Sequence, residues 1–68
     1  MTKAEKVKAV RDIRSHLALL TTSIQNNDSE WIAKSAAVAY FELEQLIKNG
    51  LQDDLAKLKL VQPLVKGA

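Results

Sequence analysis

The fold is decided by residues 10–28, VRDIRSHLALLTTSIQNND, which combine a long amphipathic segment with a turn. The apolar side chains of this segment recur at alternating steps of three and four residues: Val10, Ile13, Leu17, Leu20 and Ile24. This spacing is typical of a seam along one face of an α-helix. The polar run that follows predicts the end of the helix, because asparagine tolerates left-handed backbone and Asn27 or Asp28 can cap a second helix.

The same period continues beyond the turn. Its apolar positions are spaced by four, three, four and three residues: Ile32, Ala36, Ala39, Leu43 and Leu46. We therefore predict helix 1 at about 2–26 and helix 2 at about 28–49. Thr2 and Glu5 fit a capping box at the start of helix 1. Gly50 is expected to end helix 2 in a positive-φ conformation, which glycine adopts readily.

A short third helix is predicted at about 51–61. Leu51, Leu55 and Leu58 form its apolar stripe, Pro63 ends it, and residues 62–68 form a tail. With 68 residues the chain has room for one domain, spanning 1–68. The predicted fold class is all-α: an antiparallel helical hairpin with a short third helix.

One hairpin has a single layer of helices, so its seams are expected to stay half covered. We predict a homodimer in which a second copy covers them and completes a helical bundle, because exposing several Leu and Ile side chains costs several kcal/mol at about 25 cal/mol per Å². The alternative is a three-helix monomer with a few exposed apolar residues. The predicted core and dimer seam consists of Val10, Ile13, Leu17, Leu20, Ile24, Ile32, Ala36, Ala39, Leu43 and Leu46.

Composition excludes several classes of protein. The chain has no cysteine, so no disulfide can form, and its 47% hydrophobic content with a net charge of +2 does not fit a disordered chain. The longest apolar run, 36–41, is too short to span a bilayer. The basic residues near the start are not followed by an apolar signal region. The expected location is therefore cytoplasmic, without a membrane partner.

Residues that could support catalysis are few. There is no glycine-rich phosphate loop and no nucleophile motif, and a single histidine is present. His16 follows Asp12 by four residues, which could supply two metal ligands, but an ordinary contact within one helix is the preferred interpretation. We predict no catalytic residue, no cofactor and no metal, and hence a protein that is not an enzyme.

Charge is unevenly distributed along the chain. Residues 1–16 contain five basic and two acidic residues, and residues 28–54 contain two basic and six acidic residues. A basic helix 1 facing an acidic helix 2, within one chain or across a dimer, explains this pattern. Basic side chains that could instead contact nucleic acid are Lys3, Lys8, Arg11 and Arg14.

The few large side chains away from the seams form a second candidate surface. Trp31 lies in the first turn of helix 2, and Val38 and Phe41 fall off the main seam. These three residues are candidates for binding a partner protein, since tryptophan is enriched in binding hot spots. Packing in the core or in the dimer is the alternative.

The beginning of the chain also resembles a known family. Met1-Thr2-Lys3, Glu5-Lys6, Ile13-Arg14-Ser15 and Leu19-Leu20 are similar to the opening of the Rop family of plasmid copy-control proteins. The resemblance covers about the first 20 residues. It implies a helical hairpin that dimerises into a four-helix bundle and binds paired RNA loops through helix 1, with Lys3 at a position that the family uses for RNA.

The chain departs from this family in three respects. Asp12 stands where the family has an aromatic residue, and a carboxylate there would repel phosphate. Helix 2 is also richer in alanine, and a third helix is added. The function that we predict is a small non-enzymatic interaction module that self-associates and acts as a regulator, adaptor or inhibitor by binding a larger protein. The alternative is a Rop-like RNA-binding regulator.

Overall fold

The computed structural model describes residues 1–58, which are helical with two tight turns. Helix α1 spans Lys3–Gln25, α2 spans Ser29–Gly50 and α3 spans Gln52–Ala56. The long helices α1 and α2 pack against each other in an antiparallel hairpin, and α3 packs on the end of α2. The predicted all-α hairpin with a short third helix is therefore confirmed.

The start of α1 is fixed by a reciprocal capping box. The Thr2 hydroxyl accepts a hydrogen bond from the Glu5 amide at 3.1 Å, and the Glu5 carboxylate accepts one from the Thr2 amide at 2.7 Å. Two amides that the helix itself leaves without partners are satisfied in this way. These hydrogen bonds hold the pKa of Glu5 below its usual value, because they stabilise the carboxylate form.

The bend between the helices uses two neighbouring residues. Asn27 adopts a φ of 54°, in the left-handed region that asparagine tolerates better than most residues. Asp28 then caps α2, because its carboxylate accepts a hydrogen bond from the Trp31 amide at 3.3 Å. The short connection brings α2 back alongside α1.

The buried interface between the long helices is narrow. Its apolar members are Ile13, Ala39 and Leu46, and its polar members are Ser23 and Ser35. Each serine hydroxyl donates a hydrogen bond to a carbonyl one turn earlier in its own helix, on Leu19 and Trp31 respectively, so neither is left without a partner. Small side chains at three of these five positions let the two backbones approach closely.

The open end of the hairpin is closed by contacts with α3 and Met1. Lys6 of α1 lies 3.6 Å from Asp54 of α3, measured between Nζ and Oδ2. The Met1 sulfur packs so close to Gly50 that a β carbon on residue 50 would lie 2.6 Å from it. A larger residue at position 50 would therefore require the Met1 side chain to move.

Two expectations about this end differ from the structure. Gly50 is the last residue of α2 and does not have positive φ. The Leu51 amide donates to the Ile47 carbonyl, so the helical hydrogen bonds continue through residue 50. Helix α3 ends at Ala56, before the predicted end at 61, because the Leu58 amide bonds to the carbonyl three residues back and tightens the turn. The predicted positions 59–61 and the tail 62–68 lie outside the described residues.

In the described part of the chain, neither long helix has the length of apolar sequence that crossing a membrane requires.

Candidate functional site

One open surface of the chain is an apolar groove between the two long helices. It has a volume of about 230 Å³ and is lined by Ile13, Leu17, Leu20, Ala36, Ala39, Tyr40 and Leu43. Only two of these residues, Ile13 and Ala39, are buried by the chain itself. Tyr40 is 68% exposed at its rim. Six of the seven belong to the predicted seams, so the hydrophobic pattern of the sequence leads to a surface that one copy leaves open.

The ten predicted seam residues divide between the groove and the helix interface. Ile13, Ala39 and Leu46 are buried, and Leu20, Ile32 and Ala36 are half-buried. Val10, Leu17, Ile24 and Leu43 stay exposed. The seams are rotated toward one side of the hairpin, because the two helices meet along a line that also includes Ser23 and Ser35.

On the opposite side of the hairpin, His16 joins the long helices. Its Nδ1 lies 2.6 Å from the Glu42 Oε1, and both side chains are partly buried. Asp12 lies instead 3.2 Å from the Nζ of Lys8 on its own helix. The expected contact between Asp12 and His16 is thus wrong, because the neighbouring helix α2 places the Glu42 carboxylate at the height of His16.

The same side carries the three predicted partner-binding residues. Trp31, Val38 and Phe41 are exposed, at 46%, 41% and 60%. They follow one another along α2 at helical spacing, seven and then three residues apart. Leu19 of α1 lines a depression with Trp31 at the bend, and the Lys34 ammonium lies 5.0 Å from the centre of the Trp31 ring. We call these four residues, Leu19, Trp31, Val38 and Phe41, the aromatic face.

The predicted nucleic-acid residues lie on α1, away from α2. Lys3, Lys8, Arg11 and Arg14 are all exposed. Arg11 and Arg14 line a shallow depression with Ser15 and Ala18. Within residues 1–58, neither arginine has a carboxylate at ion-pair distance, whereas Lys8 is paired with Asp12. We call these four residues, Lys3, Lys8, Arg11 and Arg14, the basic stripe. Within residues 1–58, its charges without a carboxylate partner are therefore those of Lys3, Arg11 and Arg14.

Tyr40 and Leu19 are the surface residues that the sequence interpretation missed. Tyr40 precedes Leu43 by three residues and follows Ala36 by four, so its spacing places it beside the seam. Leu19 lies next to Leu20 in the chain but points to the aromatic face, about 100° further around the helix. Among the described residues, no three His, Cys, Asp or Glu side chains come together as metal ligands would.

Comparison with protein-family models, with curated proteins and with solved structures finds no match to this chain.

Proposed function

We propose that this chain is a small, non-enzymatic helical interaction module that forms a homodimer through the apolar groove. The single observation that carries the proposal is that the groove contains the centre of both hydrophobic seams and remains open in one copy. Burial of a half-exposed leucine contributes on the order of 1 kcal/mol, so several such side chains give a second copy a substantial driving force. A second copy presents the same groove, so a two-fold axis can bring two apolar linings into contact.

Matched substitutions test self-association. Leu17 and Leu19 are both leucines of α1 with 46% and 41% exposure, but they point to opposite faces. We expect Leu17→Asp to convert the dimer into a monomer and Leu19→Asp to leave it dimeric, as measured by sedimentation velocity at micromolar concentrations. A monomeric wild-type protein, or equal effects of the two variants, would contradict the proposal.

A second pair of variants separates loss of association from loss of folding. Tyr40 and Phe41 are adjacent and strongly exposed, so a charge at either position leaves the chain's own buried interface intact. Tyr40 lines the groove and Phe41 does not. Tyr40→Glu should weaken the dimer and Phe41→Glu should not, while both variants keep the helical circular dichroism of the wild type.

The aromatic face is the surface through which we propose that the dimer binds a larger protein, as a regulator, adaptor or inhibitor. Exposed aromatic side chains at the centre of a face are typical of binding hot spots. A groove-to-groove dimer leaves both copies of this face accessible, since it lies on the other side of each hairpin. Self-association and partner binding then use separate surfaces.

Differential capture tests the partner. Tagged wild-type protein, Tyr40→Glu and a Trp31→Ala, Phe41→Ala variant would be used to capture proteins from nuclease-treated extract of the source cells. The Trp31→Ala, Phe41→Ala variant should fail to capture a genuine partner. The purified wild type should bind that partner with an affinity that depends little on salt. Equal capture by that variant and by the wild type would exclude the aromatic face.

A second candidate function is a nucleic-acid-binding regulator, which the resemblance to the Rop family also implies. The observation that favours it is the pair of arginines on α1 without carboxylate partners among residues 1–58. Affinity for RNA should then fall steeply as salt rises. A Lys8→Glu, Arg11→Glu variant should lose binding, and Lys48→Glu on α2 is the control. Unchanged RNA binding by the double variant would exclude this function.

A further inference from the structure

The contact between His16 and Glu42 fixes the register of the two long helices. Because α1 and α2 run in opposite directions, a step of two residues toward the start of α1 matches a step of two residues toward the end of α2. Arg14 and Glu44 therefore stand at the same height along the hairpin. In a dimer whose two-fold axis runs parallel to the helices, Arg14 of one copy therefore also stands at the height of Glu44 of the other.

By helical spacing, both residues lie just outside the side chains that line the apolar groove, Arg14 beyond Leu17 and Glu44 beyond Tyr40. Arg14 follows Val10 by four residues and precedes Leu17 by three, so it neighbours two apolar side chains on the groove side of α1. On α2, Glu44 follows Tyr40 by four residues and precedes Ile47 by three, so it also neighbours two apolar side chains. Arg14 has no carboxylate partner in residues 1–58, and Glu44 has an exposed contact of 3.5 Å with Lys48. Each edge of the groove thus carries one accessible charge, of opposite sign.

Two hairpins can place their grooves together around a two-fold axis in two ways. An axis parallel to the helices puts both bends at the same end and places α1 of each copy against α2 of the other. An axis perpendicular to the helices puts the bends at opposite ends and places α1 against α1 and α2 against α2. In both arrangements the facing helices are antiparallel, so packing of the helices alone does not choose between them.

The net charges of the two helices favour one of the two arrangements. Helix α1 carries five basic and two acidic residues, whereas α2 carries two basic and three acidic ones, so α1 has a positive net charge and α2 a weakly negative one. Facing α1 with α1 brings together helices of the same sign, and like charges across an interface are unfavourable. Facing α1 with α2 brings together opposite signs. It also sets Arg14 of one copy at the height of Glu44 of the other, on both edges of the groove.

We propose that the second copy docks on the groove with both bends at the same end, and that two reciprocal ion pairs between Arg14 and Glu44 set this orientation. The inference rests on the proposed self-association and adds its geometry. Ion pairs that flank an apolar helix interface determine orientation in this way in coiled coils. The occupant of the groove is a copy of this chain, turned about the long axis of the hairpin.

Mixing two charge-reversed variants tests the pairing. Arg14→Glu alone and Glu44→Arg alone each put like charges together twice, and each should raise the dimer dissociation constant by about tenfold, the order of change expected for two exposed ion pairs reversed in sign. An equimolar mixture of the two variants restores both pairs in the heterodimer, so it should associate as tightly as the wild type. A mixture no tighter than either variant alone would overturn the proposed pairing.

A distance measurement tests the orientation independently. The sequence has no cysteine, so Asn26→Cys gives one spin label per chain, at an exposed position with ordinary backbone dihedral angles. With both bends at one end, the two labels should lie less than about 25 Å apart; with the bends at opposite ends, they should lie more than about 35 Å apart, the length of α1. A long distance in a dimeric sample would overturn the orientation alone. A monomeric sample at micromolar concentration would overturn the proposed function itself.

Discussion

The Nδ1 of His16 lies 2.6 Å from the Oε1 of Glu42, across the interface of the two long helices and 26 positions away along the chain. Three of the four contacts between a lysine and a carboxylate in residues 1–58 lie within one helix: Lys8 with Asp12, Lys34 with Glu30, and Lys48 with Glu44. The pair of His16 and Glu42 is therefore a tertiary contact, and it aligns the heights of α1 and α2.

A double-mutant cycle should detect this tertiary contact. We expect His16→Ala and Glu42→Ala to show a coupling free energy of about 0.5–1 kcal/mol in urea unfolding, the order of one hydrogen bond between partly buried side chains. The same cycle on Lys8 and Asp12 is the control and should give a smaller value. A coupling no larger than that of the control would mean that His16 does not hold the helices in register.

The capping box predicts a dependence of stability on pH. The pKa of Glu5 is lowered in the folded chain, so the carboxylate stabilises the fold at pH values above the unfolded pKa. This stabilisation should be lost as the pH falls through the lowered, folded pKa. Thermal unfolding between pH 7 and pH 2 should show the loss, and Glu5→Gln should remove that part of the pH dependence.

Substitution of Thr2 tests the other half of the capping box. Thr2→Ala should lower the free energy of unfolding by about 1 kcal/mol, because the Glu5 amide loses its hydrogen-bond partner. Thr2→Ser keeps the hydroxyl and should be close to the wild type. Equal losses in the two variants would show that the hydroxyl does not cap α1.

The left-handed residue in the bend predicts a ranking of variants. At Asn27, with φ at 54°, glycine should be tolerated or slightly stabilising, and valine should cost about 1–2 kcal/mol, because a β-branched side chain is strained in this region. Chemical denaturation of Asn27→Gly and Asn27→Val measures the difference. The neighbouring Asn26 has a negative φ of −90° and should accept valine with a smaller loss.

Substitution of Gly50 tests whether its backbone is helical, as in the structure, or has the positive φ that the sequence predicts. A positive φ would make Gly50→Ala destabilising, whereas a helical residue gains up to about 1 kcal/mol in helix propensity from this change. The added methyl group must displace the sulfur of Met1, a half-exposed residue whose flexible side chain can move. We expect a free energy of unfolding within about 0.5 kcal/mol of the wild type, together with a shifted NMR signal of the Met1 methyl group. A loss above 1.5 kcal/mol would contradict the helical conformation.

Much of the fold could be predicted because its signals are local. The capping box of Thr2 and Glu5, the left-handed Asn27 and the cap at Asp28 each depend on side chains within three residues of the backbone that they satisfy. The ion pairs of Glu30 with Lys34 and of Glu44 with Lys48 follow from spacing along one helix in the same way.

Tertiary features could not be predicted in this way. Periodicity identifies which side chains share a face of a helix, but it does not say how far each face is turned toward its partner. Leu17 and Leu43 therefore stay exposed although they belong to the seams, and Ser23 and Ser35 are buried although they are polar. The partner of His16 and the contact of Met1 with Gly50 depend on residues that are distant in sequence, and no local pattern indicates them.

Trp31 is the single indole of the chain, and it stands half-exposed at the bend beneath the Lys34 ammonium. Its intrinsic fluorescence should consequently report binding of a ligand at the bend without any added label. Pairing of hairpins through the groove should leave the emission maximum unchanged, since the indole faces the other way. A ligand seated at the bend should shift the maximum to shorter wavelength, so a simple titration would separate the two kinds of complex.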